Sequence, residues 1–523
     1  MKSPYFTTEH EAFRDTARHF IEKEVTPFAD EWERERRIPK SIWKRMGDLG
    51  FLGISYPEEY GGTGADFFYS VVFLEELTRS TMAGFAAAVS VHEYMAAEYI
   101  YRFATDDLKK QYLIPAIAGE KIGAIAITEP DTGSDVASIR TRAVRDGDSY
   151  IINGAKTFIT NGYYGDFIVV AVKTDPDAGV GGISLILVER DTPGLETRKL
   201  EKMGWHSSDT AELHFDDMKV PVGNLIGTEN EGFYYIMECF QLERLVSAII
   251  AIAGARLGLD YALGYISERK AFGRPISKFQ AIRHTMVDLR TEIEAAQQLT
   301  YNAAWRFKQG DNIIMECSMA KLLTTELAKT TADKCLQVFG GYGYMEEYLI
   351  SRMYRDARVG TIVGGTSEIM REIIARLMID QVSYEHHADK GTRAREAIKD
   401  SAEKETKGEF IGPVPERADE IIKSLPSRFR AEKAGTWGTI VHLDISGTEG
   451  GQYTVRIEKG ICTIEAGLTG KPKCTVKTSD RTYRDIELGR MNPEVAFMMR
   501  KIRISNVKEM IQFTKMFQRL PKG

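Results

Sequence analysis

At 523 residues the chain is too long for one ordinary hydrophobic core, and roughly two to four domains are expected. Hydrophobic residues make up 43% and charged residues 28%, the balance of an ordinary globular protein, and the mild net charge of −6 gives no sign of a nucleic-acid-binding chain. No uninterrupted apolar run approaches a membrane span, so no transmembrane segment is expected.

The first residues, MKSPYFTTEHEAFRDTARHF, lead straight into an amphipathic pattern, with no secretory or Arg-rich transit segment. Five cysteines (Cys239, Cys317, Cys335, Cys462, Cys474) are scattered and form no CxxC pair. That points to reduced, mostly buried thiols in a cytoplasmic protein, with neither a disulfide frame nor a metal site. The charge is uneven: from residue 410 onward 20 Lys and Arg face 13 Asp and Glu, a surplus of 7 that leaves −13 on the rest. A basic C-terminal module on an acidic body suits an anionic ligand such as a CoA ester; a solvated basic surface of no special purpose fits the same count.

Residues 1–121 read as helices. Phe13, Ala17, Phe20 and Ile21 keep helical spacing between Glu11 and Ala29, and Ser41 is placed to cap the next helix. Tyr60-Gly61-Gly62-Thr63-Gly64 interrupts them as a loop; no strand and helix flank it at phosphate-loop spacing, and it is given no catalytic role. From 122 to 235 the period is that of strands. An apolar run, Ile122 to Ile127, ends in Thr128-Glu129-Pro130-Asp131-Thr132-Gly133-Ser134-Asp135, where Gly133 permits close approach to the main chain and Thr128 and Ser134 add hydroxyls. Taken alone this is a strand entering a surface loop. Asp146-Gly147 between two alternating runs signals a hairpin, and Phe167–Lys173, Ile183–Glu189 and 212–215 continue the pattern of a small β-barrel.

From 236 to 380 long helices return, near 236–263, 280–308 and 313–338, with a last one after Gly364-Gly365, as in a four-helix bundle. Residues 381–410 are charged and nearly free of large apolar side chains, which makes them a linker. Residues 411–523 read as a separate α+β unit: a helix over 415–424, strands at 439–445, 453–457 and 473–476, a helix near 480–488, and an amphipathic end with Met510, Ile511, Phe513, Met516, Phe517 and Leu520.

Five segments carry a resemblance. Thr128-Glu129-Pro130-Asp131-Thr132-Gly133-Ser134-Asp135 resembles the TEPxxGSD signature of acyl-CoA dehydrogenases, and Lys156-Thr157-Phe158-Ile159-Thr160-Asn161 resembles their second flavin-contacting segment. Arg269-Lys270-Ala271-Phe272-Gly273, Gln337-Val338-Phe339-Gly340-Gly341 and Gly364-Gly365-Thr366-Ser367-Glu368 follow in that family's order. The family's fold implies an N-terminal all-α domain (1–121), a middle β-barrel (122–235) and a C-terminal four-helix bundle (236–380). Beyond the linker, Leu488-Gly489-Arg490-Met491-Asn492-Pro493-Glu494-Val495-Ala496-Phe497 resembles the sterol-carrier-protein family, which encloses an apolar tunnel for acyl or sterol ligands. Arg500 and Ser505 stand where that family prefers glycine, so a lipid or acyl ligand in 411–523 and a plain Met-rich core are alternatives.

The first resemblance implies FAD to take a hydride from Cβ, a base for the Cα proton, and donors that polarise the thioester carbonyl. In much of the family the catalytic glutamate directly precedes the Gly-Thr of the last motif; Gly364 holds that place here and has no side chain. Glu368 sits in the first turn of the following helix, where the dipole favours a carboxylate, and that reading suffices for it. Glu243 is different. Its helical neighbours at three and four residues are Cys239, Phe240, Val246 and Ser247, none cationic, while Arg244, adjacent in sequence, diverges around the helix. Such a carboxylate is either a satisfied structural group or a base whose pKa burial has raised. The isovaleryl-CoA and long-chain branches of the family place their base on this helix in a Glu-Arg-Leu context and keep a small residue at the Gly364 position. The resemblance therefore implies Glu243 as base, Arg244 beside it, and the Gly364 N–H, with a flavin ribityl hydroxyl, as carbonyl clamp.

By the same resemblance Ile125, Ile127, Thr128, Gly133, Ser134, Phe158, Ile159 and Thr160 line the flavin. Arg269, Phe272, Phe279 and Gln280 meet the FAD pyrophosphate or adenosine region, Arg269 from a neighbouring subunit. Gln337, Val338, Gly340 and Gly341 approach the adenine end, and Gly365, Thr366 and Ser367 form a helix N-terminus suited to phosphate or hydroxyl oxygens. Ser134, Gln241, Arg244 and Gly364 are expected to meet substrate. The implied activity is conversion of an acyl-CoA to a trans-2-enoyl-CoA by a homotetramer or homodimer, with electrons leaving to an electron-transfer flavoprotein. The segment Lys202-Met203-Gly204-Trp205-His206-Ser207-Ser208-Asp209-Thr210-Ala211-Glu212-Leu213 looks most like the long-chain branch and favours long or branched acyl groups. The alternatives are a flavin-dependent acyl-CoA oxidase on the same fold and a non-catalytic acyl-CoA- or lipid-binding protein.

Overall fold

The computed structural model describes residues 3–380, 415–434, 437–488, 490–491, 496, 501–518 and 520. The chain separates into two units, Met1–Val382 and Ser383–Gly523.

The first unit begins with helices α1 (Thr8–Phe20), α2 (Ala29–Glu35), α3 (Lys40–Asp48), α4 (Phe67–Leu77), α5 (Ala83–Val91), α6 (Ala97–Phe103), α7 (Asp106–Leu108) and α8 (Ile114–Ile117). A capping box starts α1: the Thr7 hydroxyl accepts from the His10 N–H, and the His10 ring accepts from the Thr7 N–H. The helical run expected over 11–29 is not one α-helix. After Phe20 it widens into a π turn (Ile21–Val25) and tightens into a 3₁₀ turn (Thr26–Phe28), because Pro27 has no N–H to continue the α ladder. Ser41 does not cap α3. Pro39 precedes the helix with φ −62° and ψ 140° and no side-chain cap, and Ser41 lies inside the first turn. A second π turn, His92–Ala96, joins α5 to α6.

Eight strands follow: β1 (Gly123–Ala126), β2 (Arg142–Asp146), β3 (Ser149–Thr160), β4 (Phe167–Lys173), β5 (Ile183–Glu189), β6 (Leu195–Lys199), β7 (Thr210–Pro221) and β8 (Leu225–Ile226). Their order is β6-β7-β3-β2-β4-β5-β8, with β1 parallel to β4. Residues from β1, β2, β3, β4, β5 and β7 share one apolar cluster, including Ala126, Ile152, Val170, Ile186 and Leu213, so the sheet curls around a common interior as a small barrel does. The alternate residues Phe167, Val169, Ala171, Leu185 and Leu187 pack with Tyr99, Ile100 and Tyr112 of the helical layer. β4 and β5 are therefore buried on both faces, which explains their nearly unbroken apolar sequence. Asp146 pairs with Ser149 across Gly147-Asp148, and Gly147 takes φ +57°, the conformation a two-residue hairpin loop requires.

The bundle consists of α9 (Gly232–Glu268), α10 (Gln280–Lys308), α11 (Ile314–Phe339), α12 (Leu349–Ala357) and α13 (Ser367–Met378), with a hairpin of β9 (Lys270–Ala271) and β10 (Arg274–Pro275) between α9 and α10. By length and composition α9 would suffice to cross a membrane, yet it packs on α11, α10 and α4 and buries residues along its whole length. Its middle, Leu242, Leu245, Val246 and Ile249, joins the same core as Phe73, Phe85 and Trp43 of the N-terminal helices. The centre of α9 thus lies where the helical layers meet.

The second unit holds β11 (Thr439–Ser446), β12 (Gly451–Glu458), β13 (Ile461–Ala466), β14 (Cys474–Ser479) and β15 (Ile502–Ile504) in the order β13-β12-β11-β14-β15, with β11 and β14 parallel. Helices Ala418–Lys423 and Asp480–Glu487 share its core with Val441, Val455, Val476 and Phe517. β13 and β15 were not anticipated; one face of β13 is exposed, and β15 is only 3 residues long. Ser505 fastens β15: its N–H donates to Thr475 O at 3.0 Å and its hydroxyl accepts from Thr475 N at 2.8 Å. The linker, Arg500 and most of the segment 488–497 lie outside the described residues.

Candidate active site

The loop after β1 is built around a buried ion pair. Lys156 of β3 is fully buried, and its Nζ donates to Glu129 Oε1 at 2.8 Å and to Ile127 O at 3.0 Å. Burial lowers the Lys156 pKa to about 8 against the pull of Glu129. Burial works the other way on Glu129, but Lys156 and the N–H groups of Arg140 (2.6 Å) and Thr141 (2.9 Å) hold its carboxyl below the usual range. Glu129 and Thr132 exchange two backbone hydrogen bonds, closing a tight turn over Pro130-Asp131. The Thr157 N–H donates to Thr128 O at 2.9 Å, joining the two predicted flavin segments. Ile125, Ile127 and Thr128 are half-buried, Gly133 and Ser134 are exposed, and a Cβ built on Gly133 would touch nothing within 4 Å.

The register of β3 against β7 slips between Lys156 and Ile159, and Phe158 at the slip adopts φ +62° with its side chain 69% exposed. A left-handed aromatic residue is unusual, and such outliers gather at functional sites. The slip also turns Ile159 into the barrel interior, 3% exposed, so only its main chain is available to a ligand. Thr160 is half-buried.

Glu243 lies on α9 at 6% exposure. The Tyr99 hydroxyl donates to its Oε1 at 3.1 Å. Burial raises its pKa to about 7, while the Tyr99 hydrogen bond and the nearby Arg244 charge oppose the rise. Arg244 is itself buried and lies 5.4 Å from the Phe240 ring centroid, and its Nε has no hydrogen-bond partner among the described residues. Gln241 is already engaged: its Oε1 accepts from Ile313 N at 2.9 Å at the start of α11.

The turn before α13 meets the same stretch of α9. Gly364 (φ +64°) and Gly365 (φ +92°) both need the left-handed region, and a Cβ on Gly364 would sit 3.6 Å from Ser247 Oγ. Ser247 lies one turn beyond Glu243 and donates to Glu243 O at 2.8 Å. Lys321 of α11, fully buried, donates from Nζ to Gly365 O at 2.5 Å, and burial lowers its pKa to about 8. Thr366 caps α13 by accepting from Ile369 N at 3.3 Å, and Ser367 Oγ donates to Glu326 Oε1 at 2.7 Å.

The remaining predicted residues form a separate group. Arg269 lies over the Tyr342 ring at 5.5 Å, and Phe279 packs on Phe272 and Arg274 at 6.1 and 4.4 Å. Phe272, with φ +51°, is 94% exposed. Gln280, Gln337, Gly340 and Gly341 are exposed and Val338 is half-buried. Among the described residues no hydrogen bond, ion pair or ring contact joins this group to Glu243 or to the 125–134 loop.

Comparisons with known proteins bear on this arrangement. Models described as the acyl-CoA dehydrogenase N-terminal, middle and C-terminal domains match residues 7–120, 124–218 and 230–379. The long-chain specific acyl-CoA dehydrogenase of Rattus norvegicus is 39% identical over 377 residues, covering 72% of this chain and 87% of that protein. The chain belongs to the acyl-CoA dehydrogenase family. An acyl-CoA dehydrogenase structure from Geobacillus kaustophilus is 47% identical with a TM-score of 0.70, over 72% of this chain and all of its own. A chain from a structure of the electron transferring flavoprotein of Acidaminococcus fermentans is 38% identical with a TM-score of 0.70, over the same 72% and all of its own. Residues 419–517 match the SCP-2 sterol transfer family.

Acyl-CoA dehydrogenases depend on a flavin, and the residues present fit one: an aromatic side chain stands out at Phe158, beside an open glycine-and-hydroxyl loop, and α13 presents a capped N-terminus. No local pattern marks Tyr99 or Lys321, whose partners in the fold lie 144 and 44 residues away. Glu93, in the π turn before α6, was missed as well. It is 2% exposed and accepts from Gly53 N at 2.8 Å through Oε1, while its Oε2 has no hydrogen-bond partner among the described residues. Burial pushes its pKa up to about 8. The folded state thus holds this proton more tightly than the unfolded chain, and stability is lost as pH rises from the ordinary carboxyl range to about 8. Glu93→Gln keeps the acceptor and cannot ionise; it is expected to raise stability by on the order of 2 kcal/mol at pH 9 and by almost nothing at pH 5. Thermal unfolding at the two pH values checks this, and an equal effect at both would refute it.

Proposed function

We propose that this chain is an FAD-dependent acyl-CoA dehydrogenase in which Glu243 removes the Cα proton. One observation carries the reading: a buried carboxylate with a pKa of about 7 sits on α9 beside the turn at Gly364, where a glutamate is absent. A base so poised is matched to work near neutrality. The Cα–H bond breaks toward Glu243, which takes the proton, and the Gly364 N–H would hydrogen-bond the thioester oxygen as negative charge develops there. FAD, when bound, accepts the hydride equivalent from Cβ. The first-unit residues that would hold it are Ile125, Ile127, Thr128, Gly133, Ser134, Phe158, Thr160, the Ile159 main chain and Gly365 to Ser367. The separate group at Arg269, Phe272, Phe279, Gln280 and 337–341 is proposed to serve FAD across an interface between two copies, which accounts for the high exposure of Phe272.

Long or branched acyl groups are the proposed substrates and an electron-transfer flavoprotein the proposed acceptor. The likeness to the rat long-chain enzyme agrees with the first, although a short-chain specific acyl-CoA dehydrogenase of Clostridium acetobutylicum is equally 39% identical. The segment 202–213 supports it less than its sequence implied, because its groups are spent on packing: Lys202 Nζ bonds Ser208 O at 2.9 Å, Trp205 N bonds Asp356 Oδ1 at 2.7 Å and Ser207 N bonds Glu33 Oε1 at 3.0 Å. Anaerobic titration of the purified protein with acyl-CoAs of graded length, followed by flavin absorbance, tests the reading. Bleaching is expected, fastest with long or branched esters. Rapid reoxidation by oxygen would favour the oxidase, and a colourless protein inert to every ester would favour a binding protein.

A further inference from the structure

The carboxylate of Glu243 has a neighbour that no motif announces. Tyr99 is fully buried on α6, and its hydroxyl reaches Glu243 Oε1 at 3.1 Å. Glu243 Oε2 receives no hydrogen bond from the described residues. We propose that Tyr99 is a positioning residue for proton abstraction: its hydroxyl fixes one carboxylate oxygen and favours the ionised form, leaving Oε2 to meet the Cα proton. This rests on Glu243 being the base.

The surroundings explain why such a donor matters. The charged and titratable groups facing Glu243 are Tyr99 from α6, and Cys239 and Arg244 from α9 itself; Glu98 lies behind Tyr99, and Cys317 of α11 behind Arg244. Arg244 acts on Glu243 through charge alone, and among the described residues only Tyr99 makes a hydrogen bond to its carboxylate. Hydrogen bonds to a charged group in a dry site are stronger than neutral ones. A base also needs a fixed lone-pair direction, because proton transfer falls off steeply with misalignment. The Tyr99 ring packs at 6.4 Å from Phe103, a contact phenylalanine would keep.

Tyr99→Phe is expected to move the acid limb of the kcat/KM profile up by about one pH unit, with kcat below pH 7 falling about tenfold and KM nearly unchanged. Tyr112→Phe serves as the control. It removes another tyrosine hydroxyl from a buried residue, one that donates to Glu189 Oε1 at 3.1 Å, and it should leave the limb in place. Site-specific 3-fluorotyrosine at position 99 keeps ring and hydroxyl but donates more strongly, so the limb should move down; this variant decides the matter if Tyr99→Phe does not fold. An acid limb that stays put in the fluorinated protein, or moves equally in Tyr112→Phe, would overturn the proposal even with Glu243 upheld as base. Full flavin bleaching by Glu243→Gln would instead remove the base reading, and this inference with it.

Discussion

Glu243→Gln is expected to slow anaerobic flavin reduction by acyl-CoA by about 10²–10⁴-fold, the usual contribution of a positioned general base. The substitution is nearly isosteric, and the Tyr99 hydroxyl still finds an oxygen to bond, so fold and flavin content should survive. Removing a buried carboxylate with a raised pKa should even stabilise the protein slightly above pH 7, since the folded state no longer resists ionisation there. Lost reduction with intact flavin absorbance and an unchanged or higher Tm is therefore the signature expected. Reduction at the wild-type rate would mean that another group takes the proton. Glu368 is a poor substitute: it is exposed, and hydrogen bonding at the start of α13 holds its carboxyl below the usual range.

Lys156→Met should be the most damaging change outside the catalytic residues. Breaking one side of a buried ion pair leaves an uncompensated charge and typically costs about 3–5 kcal/mol. Glu129 would keep only the Arg140 and Thr141 N–H groups, and Ile127 O would lose its donor. Because these bonds hold the strand end that leads into the Gly133-Ser134 loop, flavin retention should fall together with stability. Denaturant unfolding and the flavin-to-protein absorbance ratio after gel filtration measure the two. Adding Glu129→Gln should recover part of the loss by removing the stranded charge. If flavin is retained and the midpoint does not move, the pair does not organise the loop.

Much of the architecture was legible because hydrophobic period is a local signal. The strands from 142 to 189 and helix α10 fall where alternation and helical spacing put them. Failures came from chemistry one residue to the side or far along the chain. Ser41 has the right type for a cap, but Pro39 sets the entry to α3. Ile159 belongs to the expected flavin segment, yet the register slip at Phe158 swings its side chain inward, and a slip is invisible to a rule that assumes strict alternation. Gln241 was expected to meet substrate by resemblance alone, and the sequence could not show that α11 takes its amide oxygen. Resemblance located Glu243, and the fold added its environment. Tyr99 and Lys321 are a tyrosine and a lysine on helices, with nothing local to mark what packing brings against them.

The division between Glu243 on α9 and the Gly364 turn has a consequence for how such an enzyme can change. Where one residue supplies both the base and the clamping N–H, any shift that improves one disturbs the other. In the proposed arrangement the two sit on different segments, and the turn is tethered through Lys321 to Gly365 O. A substitution at the turn then bears first on thioester polarisation and a substitution at Tyr99 first on the proton acceptor, while the charges of Lys321 and Arg244 keep a link between them. Two traits that would otherwise be inherited as one become partly separable to selection.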